Sequence, residues 1–206
     1  MDIFRLYTPS PCFEKAYQQL RRQAQLDADA TPAWLFPYGQ TYLQWLAALA
    51  ASRRCPDWRC RFIPYRVYFL TDSSGRILGA ARLLLGLNEP LTRSGGQLSL
   101  WIASKFRRPG IEAALLKQVL RRCAHLGLAR ILVCWPAGHG AGSALAACPS
   151  CARPAIITGW DGGPLYRAWV AVPAHRRLRS LTVNVFPVRR TAHPGIPPAP
   201  RFTIWR

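Results

Sequence analysis

Apolar residues recur along this chain with two periods, and the switches between them outline the fold. Phe13, Ala16, Tyr17, Leu20 and Ala24 fall three and four apart, so residues 11–26 are predicted as a helix, with Ser10 and Pro11 as start signals. Tyr38, Tyr42, Trp45, Leu46 and Leu49 repeat that spacing and predict a second helix over 37–52. Asp27 to Pro32 reads as the loop between them. Residues 53–62 are an irregular connection. From Ile63 to Leu70 the chain is rich in β-branched and aromatic residues, Thr71 to Gly75 is a turn, and 76–86 continues as a second strand. After a connection through Asn88, Pro90 and Gly95-Gly96 comes a third strand, 97–103. Leu98, Leu100 and Ile102 share one of its faces, and Ser99 and Trp101 the other.

The sharpest helical stripe follows. Ile111, Leu115, Leu116, Val119, Leu120, Cys123 and Leu126 face one way; Glu112, Lys117, Gln118, Arg121, Arg122 and His125 face water; Gly127 ends the helix. Ile131 to Cys134 is a short buried strand. Residues 135–152 are loop-like, with a weak helix interrupted by Pro149. Residues 155–158 and 165–172 are two further strands around Asp161-Gly-Gly-Pro164. The order is α-α-β-β-β-α-β-(α)-β-β, which predicts an α+β (mixed α/β) domain built on one twisted mixed sheet with flanking helices. Residues 1–173 form that domain. Residues 174–206 are a basic, proline-rich extension in which 181–188 is patterned as one added strand.

Within this outline, residues 97–134 concentrate the chemistry: strand, basic glycine loop, amphipathic helix, strand. The loop is Lys105-Phe-Arg-Arg-Pro-Gly110. A strand that delivers such a turn to a helix N-terminus sets free N–H groups and the positive end of the helix dipole against any anion. The bland alternative is an ordinary turn with solvated arginines.

Charge changes this picture less than its size suggests. The formal net charge is +19 over 206 residues, yet of 28 basic residues only Lys15, Lys105 and Lys117 are lysine. An anionic ligand, nucleic acid and a GC-rich coding sequence all explain such an arginine excess. Non-specific attraction to polyanions at low salt follows in any case. No segment reaches the roughly 20 apolar residues of a membrane span, and the N-terminus lacks a signal-peptide pattern; a cytoplasmic protein is the default expectation. Seven cysteines point to reduced thiols rather than a disulfide framework. Cys148-Pro-Ser-Cys151, with Cys55 and Cys60, has spacings that could hold zinc, but two distant segments would have to meet; no metal is the expectation. The run Arg176, Arg177, Arg179, Arg189 and Arg190 reads as a solvated tail or as a contact for nucleic acid or an acidic partner.

Four stretches, in order and spacing, resemble the GNAT superfamily of N-acetyltransferases, and within it the bacterial predicted-acetyltransferase subgroup. They are Gly75-Arg-Ile-Leu-Gly-Ala80, Leu85-Gly-Leu-Asn-Glu-Pro-Leu91 with Gly95-Gly96, Phe106-Arg-Arg-Pro-Gly-Ile-Glu-Ala113, and Leu126-Gly-Leu-Ala-Arg-Ile-Leu-Val-Cys134. The resemblance spans roughly residues 10–172. It implies a sheet splayed between the strands at 97–103 and 130–134, with acetyl-CoA in the V. Main-chain groups around Leu100, Trp101 and Ile102 would pair with the pantetheine arm. Arg107, Arg108, Gly110 and Ile111 would hold the pyrophosphate. It also implies direct acetyl transfer to an amine. The chain departs from the pattern at Glu112, where the family has Gly or Ala, at Pro109, which has no N–H, and after Cys134, where an expected Asn is missing.

Such a transfer needs a base for the amine and a proton for the leaving thiolate. Glu89, His139, Glu112 and Tyr166 are the candidate bases. Ser143 is the candidate proton donor, or a helix cap. Each of these also has a plain structural reading as a loop or strand residue. A monomer or homodimer is expected. The competing function is a catalytically degenerate relative that keeps the fold and binds nucleic acid or an acidic partner through its basic surface.

Overall fold

A computed structural model describes residues 4–52, 63–136, 145, 148–159 and 161–173. Strands β1 (Arg5–Tyr7), β2 (Tyr65–Thr71), β3 (Ile77–Leu84), β4 (Leu98–Ile102), β5 (Arg130–Pro136), β6 (Ala155–Thr158) and β7 (Pro164–Ala171) form one sheet in the order β1-β2-β3-β4-β5-β7-β6. All pairings are antiparallel except β4 with β5.

The helices begin and end where local chemistry directs. Residues 11–13 are a single 3-10 turn, and α1 (Glu14–Leu26) follows it. The second helix, α2 (Tyr42–Ser52), starts later than its apolar period suggests. Thr41 and Gln44 form a reciprocal capping box: the Gln44 N–H donates to Thr41 Oγ1, and the Thr41 N–H donates to Gln44 Oε1. That box fixes the first turn beyond Pro37 and Gly39. Helix α3 (Ile111–His125) closes with the Leu128 N–H donating to the Cys123 carbonyl around Gly127, whose φ is 74°.

The two sheet faces are covered unequally. Helix α3 lies under both halves of the sheet: Leu115, Leu116, Val119, Leu120 and Cys123 share one core with Leu83 and Leu98 on one side and Ile131, Val133, Ala168 and Val170 on the other. The opposite face carries α1 and α2. Their core of Tyr17, Leu20, Tyr42, Trp45 and Leu49 meets Val67, Phe69, Ala80 and Trp101, all from β2, β3 and β4. Among the described residues no side chain of β5, β6 or β7 belongs to that second core.

Three expectations need adjustment. The N-terminal strand β1 was not predicted; its three residues pair with Phe69, Leu70 and Thr71 and bury only Leu6. The connection at 89–95 is helical: the Asn88 carboxamide accepts from the Leu91 N–H, and the Asn88 carbonyl from the Thr92 N–H. Of the weak helix expected in 135–152, only Leu145 is described as helical. The strand expected at 181–188, and the rest of the 174–206 extension, lie outside the described residues.

Candidate functional site

The sheet divides where β4 meets β5. Their parallel pairing holds at one residue pair, Leu98 with Val133. Just before it the strands are pinned together by Gln97. Its N–H donates to the Leu132 carbonyl (2.6 Å), and its buried carboxamide oxygen accepts from the Leu132 N–H (3.0 Å). Gly96 makes this approach possible. Its φ is +67°, and a Cβ there would stand 2.9 Å from the Cys134 nitrogen and 3.1 Å from the Leu132 carbonyl oxygen.

Beyond Leu98 the strands part. Alternate residues of an antiparallel strand send their main-chain groups to opposite sides. The Leu84 N–H donates to Gln97 O and the Ala103 N–H to Leu78 O, so the carbonyl of 97 and the main-chain groups of 99, 101 and 103 face β3. Leu100 and Ile102 therefore present their main-chain groups to the gap. Trp101 does not; its main chain faces β3 and its ring is core, with Nε1 donating to the Ala30 carbonyl and an edge-to-face contact to Phe36. Ile102 has its carbonyl engaged by Nε of Arg107 (3.1 Å).

The loop from Ser104 to Gly110 is held from across the molecule. Helix α1 ends with Ala28 in a left-handed conformation (φ 47°) and the Asp29 N–H donating to the Ala24 carbonyl. This turn aims Asp29 at the loop. Its carboxylate, 3% exposed, accepts from the Ser104 N–H (2.7 Å) and from Nη2 of Arg107 (2.7 Å). Neighbouring Asp27 accepts from Ser104 Oγ. Nothing in the sequence pattern marked Asp29 for this work, because it acts 75 and 78 residues away.

Gly110 is the N-cap of α3 with φ 89°, a left-handed conformation that favours glycine, and no side chain caps the helix. The Ile111 N–H reaches the Arg108 carbonyl and the Ala114 N–H the Gly110 carbonyl. The N–H groups of Glu112 and Ala113 have no acceptor among the described residues. Arg108 lies against the ring of Phe4, and a cleft of about 490 Å³ opens beside the first turn, lined by Lys105, Arg108, Ile111 and the Arg76–Asp72 ion pair. Lys105, Arg108 and unpaired donors thus coincide at the N-terminus of α3.

The catalytic candidates separate. Glu89 is exposed at the start of the helical turn before β4. Glu112 is half-buried in the first turn of α3. Tyr166 is on β7 facing the α3 side, its ring stacked on Trp135 at 5.7 Å. His139 and Ser143 lie outside the described residues. Cys134, not singled out as a catalytic residue, borders the gap on the other face. Burial raises its thiol pKa, against the pull of Arg167 opposite it, so it is poorly suited to be an acyl-accepting thiolate. Cys148 and Cys151 share one turn, the Cys151 N–H donating to the Cys148 carbonyl. Cys55 and Cys60 lie outside the described residues, and among those described no three His, Cys, Asp or Glu side chains cluster.

Neither a protein-family profile nor any curated protein matches this sequence. Solved structures do match its fold. The Salmonella typhimurium protein yncA, assigned as an acetyltransferase and solved with its cofactor acetyl-CoA, aligns over 84% of this chain and 96% of its own, with a TM-score of 0.53 at 13% identity. The ribosomal-protein-S5-alanine acetyltransferase of Vibrio fischeri aligns over 84% and 97%, with a TM-score of 0.56 at 11% identity. The spermidine N-acetyltransferase SpeG of Vibrio cholerae, solved as a point mutant, aligns over 82% and 93%, with a TM-score of 0.53 at 13% identity.

The chain has the GNAT acetyltransferase fold.

For a GNAT fold, the position of the gap matters more than the low identities. Strand β4, which borders it, leads through the loop clamped by Asp29 to the uncapped N-terminus of α3. No helix among the described residues is long and apolar enough to cross a membrane.

Proposed function

We propose that this chain is an acetyl-CoA-dependent N-acetyltransferase that transfers the acetyl group directly to an amine. One observation carries the reading: β4 and β5 are joined at a single pair and then part, leaving the main-chain groups of Leu100 and Ile102 facing a gap on the strand that leads to the uncapped N-terminus of α3.

The residues present fit the co-substrate. Unpaired N–H groups at Glu112 and Ala113, the helix dipole, Lys105 and Arg108 suit a pyrophosphate. Pro109 and Glu112 reduce that potential without removing it. Arg107 acts differently from the simple expectation: tied to Asp29 and to the Ile102 carbonyl, it shapes the loop. Leu100 offers an N–H and a carbonyl to an amide-bearing arm in the gap, or an N–H to a thioester carbonyl as charge develops on its oxygen.

In the transfer, the neutral amine attacks the thioester carbon, the carbon–sulfur bond breaks, and the thiolate leaves and takes a proton. Glu89, Glu112 and Tyr166 are the described candidates for moving protons, with His139 and Ser143 beyond the described residues. No acyl-enzyme is needed, consistent with the protonated state that burial favours for Cys134. Titration calorimetry with acetyl-CoA tests the reading; a micromolar Kd is expected. No detectable heat at high micromolar concentration overturns it. Acetyl-CoA turnover that disappears in the Arg107→Ala, Arg108→Ala double variant excludes the non-catalytic alternative.

A further inference from the structure

Four side chains stand in one row across the face that α1 and α2 leave partly open. Arg82 on β3 pairs with Ser99 on β4. Ser99 is one step past Leu98, which pairs with Val133, so it stands level with Cys134 across the gap. Cys134 pairs with Arg167 on β7. All four point away from α3, since Ala81, Leu83, Leu98, Val133, Ala168 and Tyr166 point toward it. The row therefore reads Arg82, Ser99, gap, Cys134, Arg167, at the first level where the sheet is open.

Arg167 has main-chain partners, donating from Nη1 to the carbonyls of Thr92 and Arg93. Arg82 is less satisfied. Its guanidinium donates to Ser99 Oγ at 3.3 Å and lies over the ring of Trp34 at 5.5 Å. Its Nε is buried with no hydrogen-bond partner. No carboxylate among the described residues pairs with it. Burial works against its charge, with Tyr65 opposing that effect. A partly buried cation without a counter-charge is costly to keep. It is also the one polar residue in an otherwise apolar strand, Ile77-Leu-Gly-Ala-Ala-Arg-Leu-Leu84.

We propose that the acceptor amine carries an anionic group, carboxylate or phosphate, and that Arg82 binds it beside the gap. This rests on the acetyltransferase reading and adds its substrate class. Arginine presents several N–H donors in a fixed plane, suited to two oxygens of one anion. With Ser99 taking one donor and Trp34 fixing the plane, the remaining Nη donors are held ready. An anion there sets its own amine toward the gap, and a polycationic acceptor is repelled by the same row.

The test is turnover, read as released thiol, on matched primary amines. L-Phenylalanine is compared with its carboxamide and with phenethylamine; phosphoethanolamine with ethanolamine; spermidine is the cationic control. The carboxylate and phosphate arms distinguish the two anions. In at least one set, kcat/KM for the anionic member should exceed its neutral partner by about tenfold or more, as expected for a charge-assisted hydrogen bond. Arg82→Met should bring the pair within about twofold through KM for the amine, Arg82→Lys should restore part of the preference, and KM for acetyl-CoA should stay the same in both. Preference for neutral or cationic amines overturns the proposal, as does anion preference that survives Arg82→Met. Acetyl-CoA binding without turnover of either anionic amine at about 10 mM, above the usual KM range, also overturns it. Absence of acetyl-CoA binding is a separate result, seen by calorimetry, and removes the acetyltransferase reading together with this one.

Discussion

Among the described residues, the half-sheet of β1 to β4 is covered on both faces, and the half-sheet of β5 to β7 by helix on only one. In the first half, Phe69 is completely buried, with Phe13, Tyr17 and Trp45 around its ring. In the second, the outer face carries Cys134, Arg167 and Trp169, all partly exposed, and Ile156, paired with Tyr166 on the α3 side of the edge strand, is 71% exposed. The difference shows how one domain can separate stability from access. Two helices on one half complete a core, and their absence from the other leaves a step at the gap, where a substrate can be admitted.

Stability measurements should expose this asymmetry first. Phe69→Ala is expected to cost about 3–5 kcal/mol, against no more than about 0.5 kcal/mol for Ile156→Ala, both read from denaturant midpoints. Equal losses would erase the contrast. The next effect comes from pH. Burial pushes the Cys123 thiol to about 12 and the Tyr17 hydroxyl to about 12, the latter against the charge of Arg21. Both groups are neutral when protonated, so the folded state holds protons that the unfolded chain has lost. Stability from these groups is complete below the unfolded values near 8.5 and 10 and falls as pH rises toward 12, by up to about 1.4 kcal/mol per pH unit for each group. Thermal melts between pH 8 and 11 should show the fall. Cys123→Ala should reduce it by removing one of the two titrating groups, leaving the Tyr17 contribution.

Smaller losses are expected at the junction itself. Gln97→Leu removes the acceptor of the buried Leu132 N–H and should cost about 1–3 kcal/mol, measured by chemical denaturation. Asp29→Ala releases Arg107 and the Ser104 N–H. Calorimetry should then show acetyl-CoA binding weakened by about tenfold, or 1.4 kcal/mol, with a stability loss of about 1 kcal/mol from the Ser104 N–H left without its acceptor. Last, Cys134→Ala should leave the transfer rate within about twofold. A loss of a hundredfold or more would make Cys134 an acyl carrier and end the case for direct transfer.

The first half was largely legible in the sequence, as were α3 and its glycine loop, because burial on fixed faces imposes a period. Strand β1 was not, since three residues with one buried position carry no period of their own. The start of α2 at Tyr42 depended on the Thr41 and Gln44 cap rather than on apolar spacing. At the site, the loop was legible as a glycine turn before an amphipathic helix. The gap was implied by resemblance; no pattern in β4 or β5 distinguishes strands that pair along their length from strands that part. Asp29 was hidden in a segment that reads as a loop, since its partners are distant in sequence. Arg82 did leave a mark, one cation inside an apolar strand, whose meaning needed the register that aligns it with Ser99.

The single rung at Leu98 and Val133 also bears on how the protein breathes. Main-chain continuity across the sheet is thin there, while α3 is packed against both halves. Apart from the two Gln97 bonds to Leu132, cohesion between the half-sheets therefore rests on side chains packed against α3. Amides near the rung would exchange with solvent ahead of those in β2 and β3. A molecule that bridged the half-sheets would act as a stitch, and its affinity would add to the cohesion of the whole sheet.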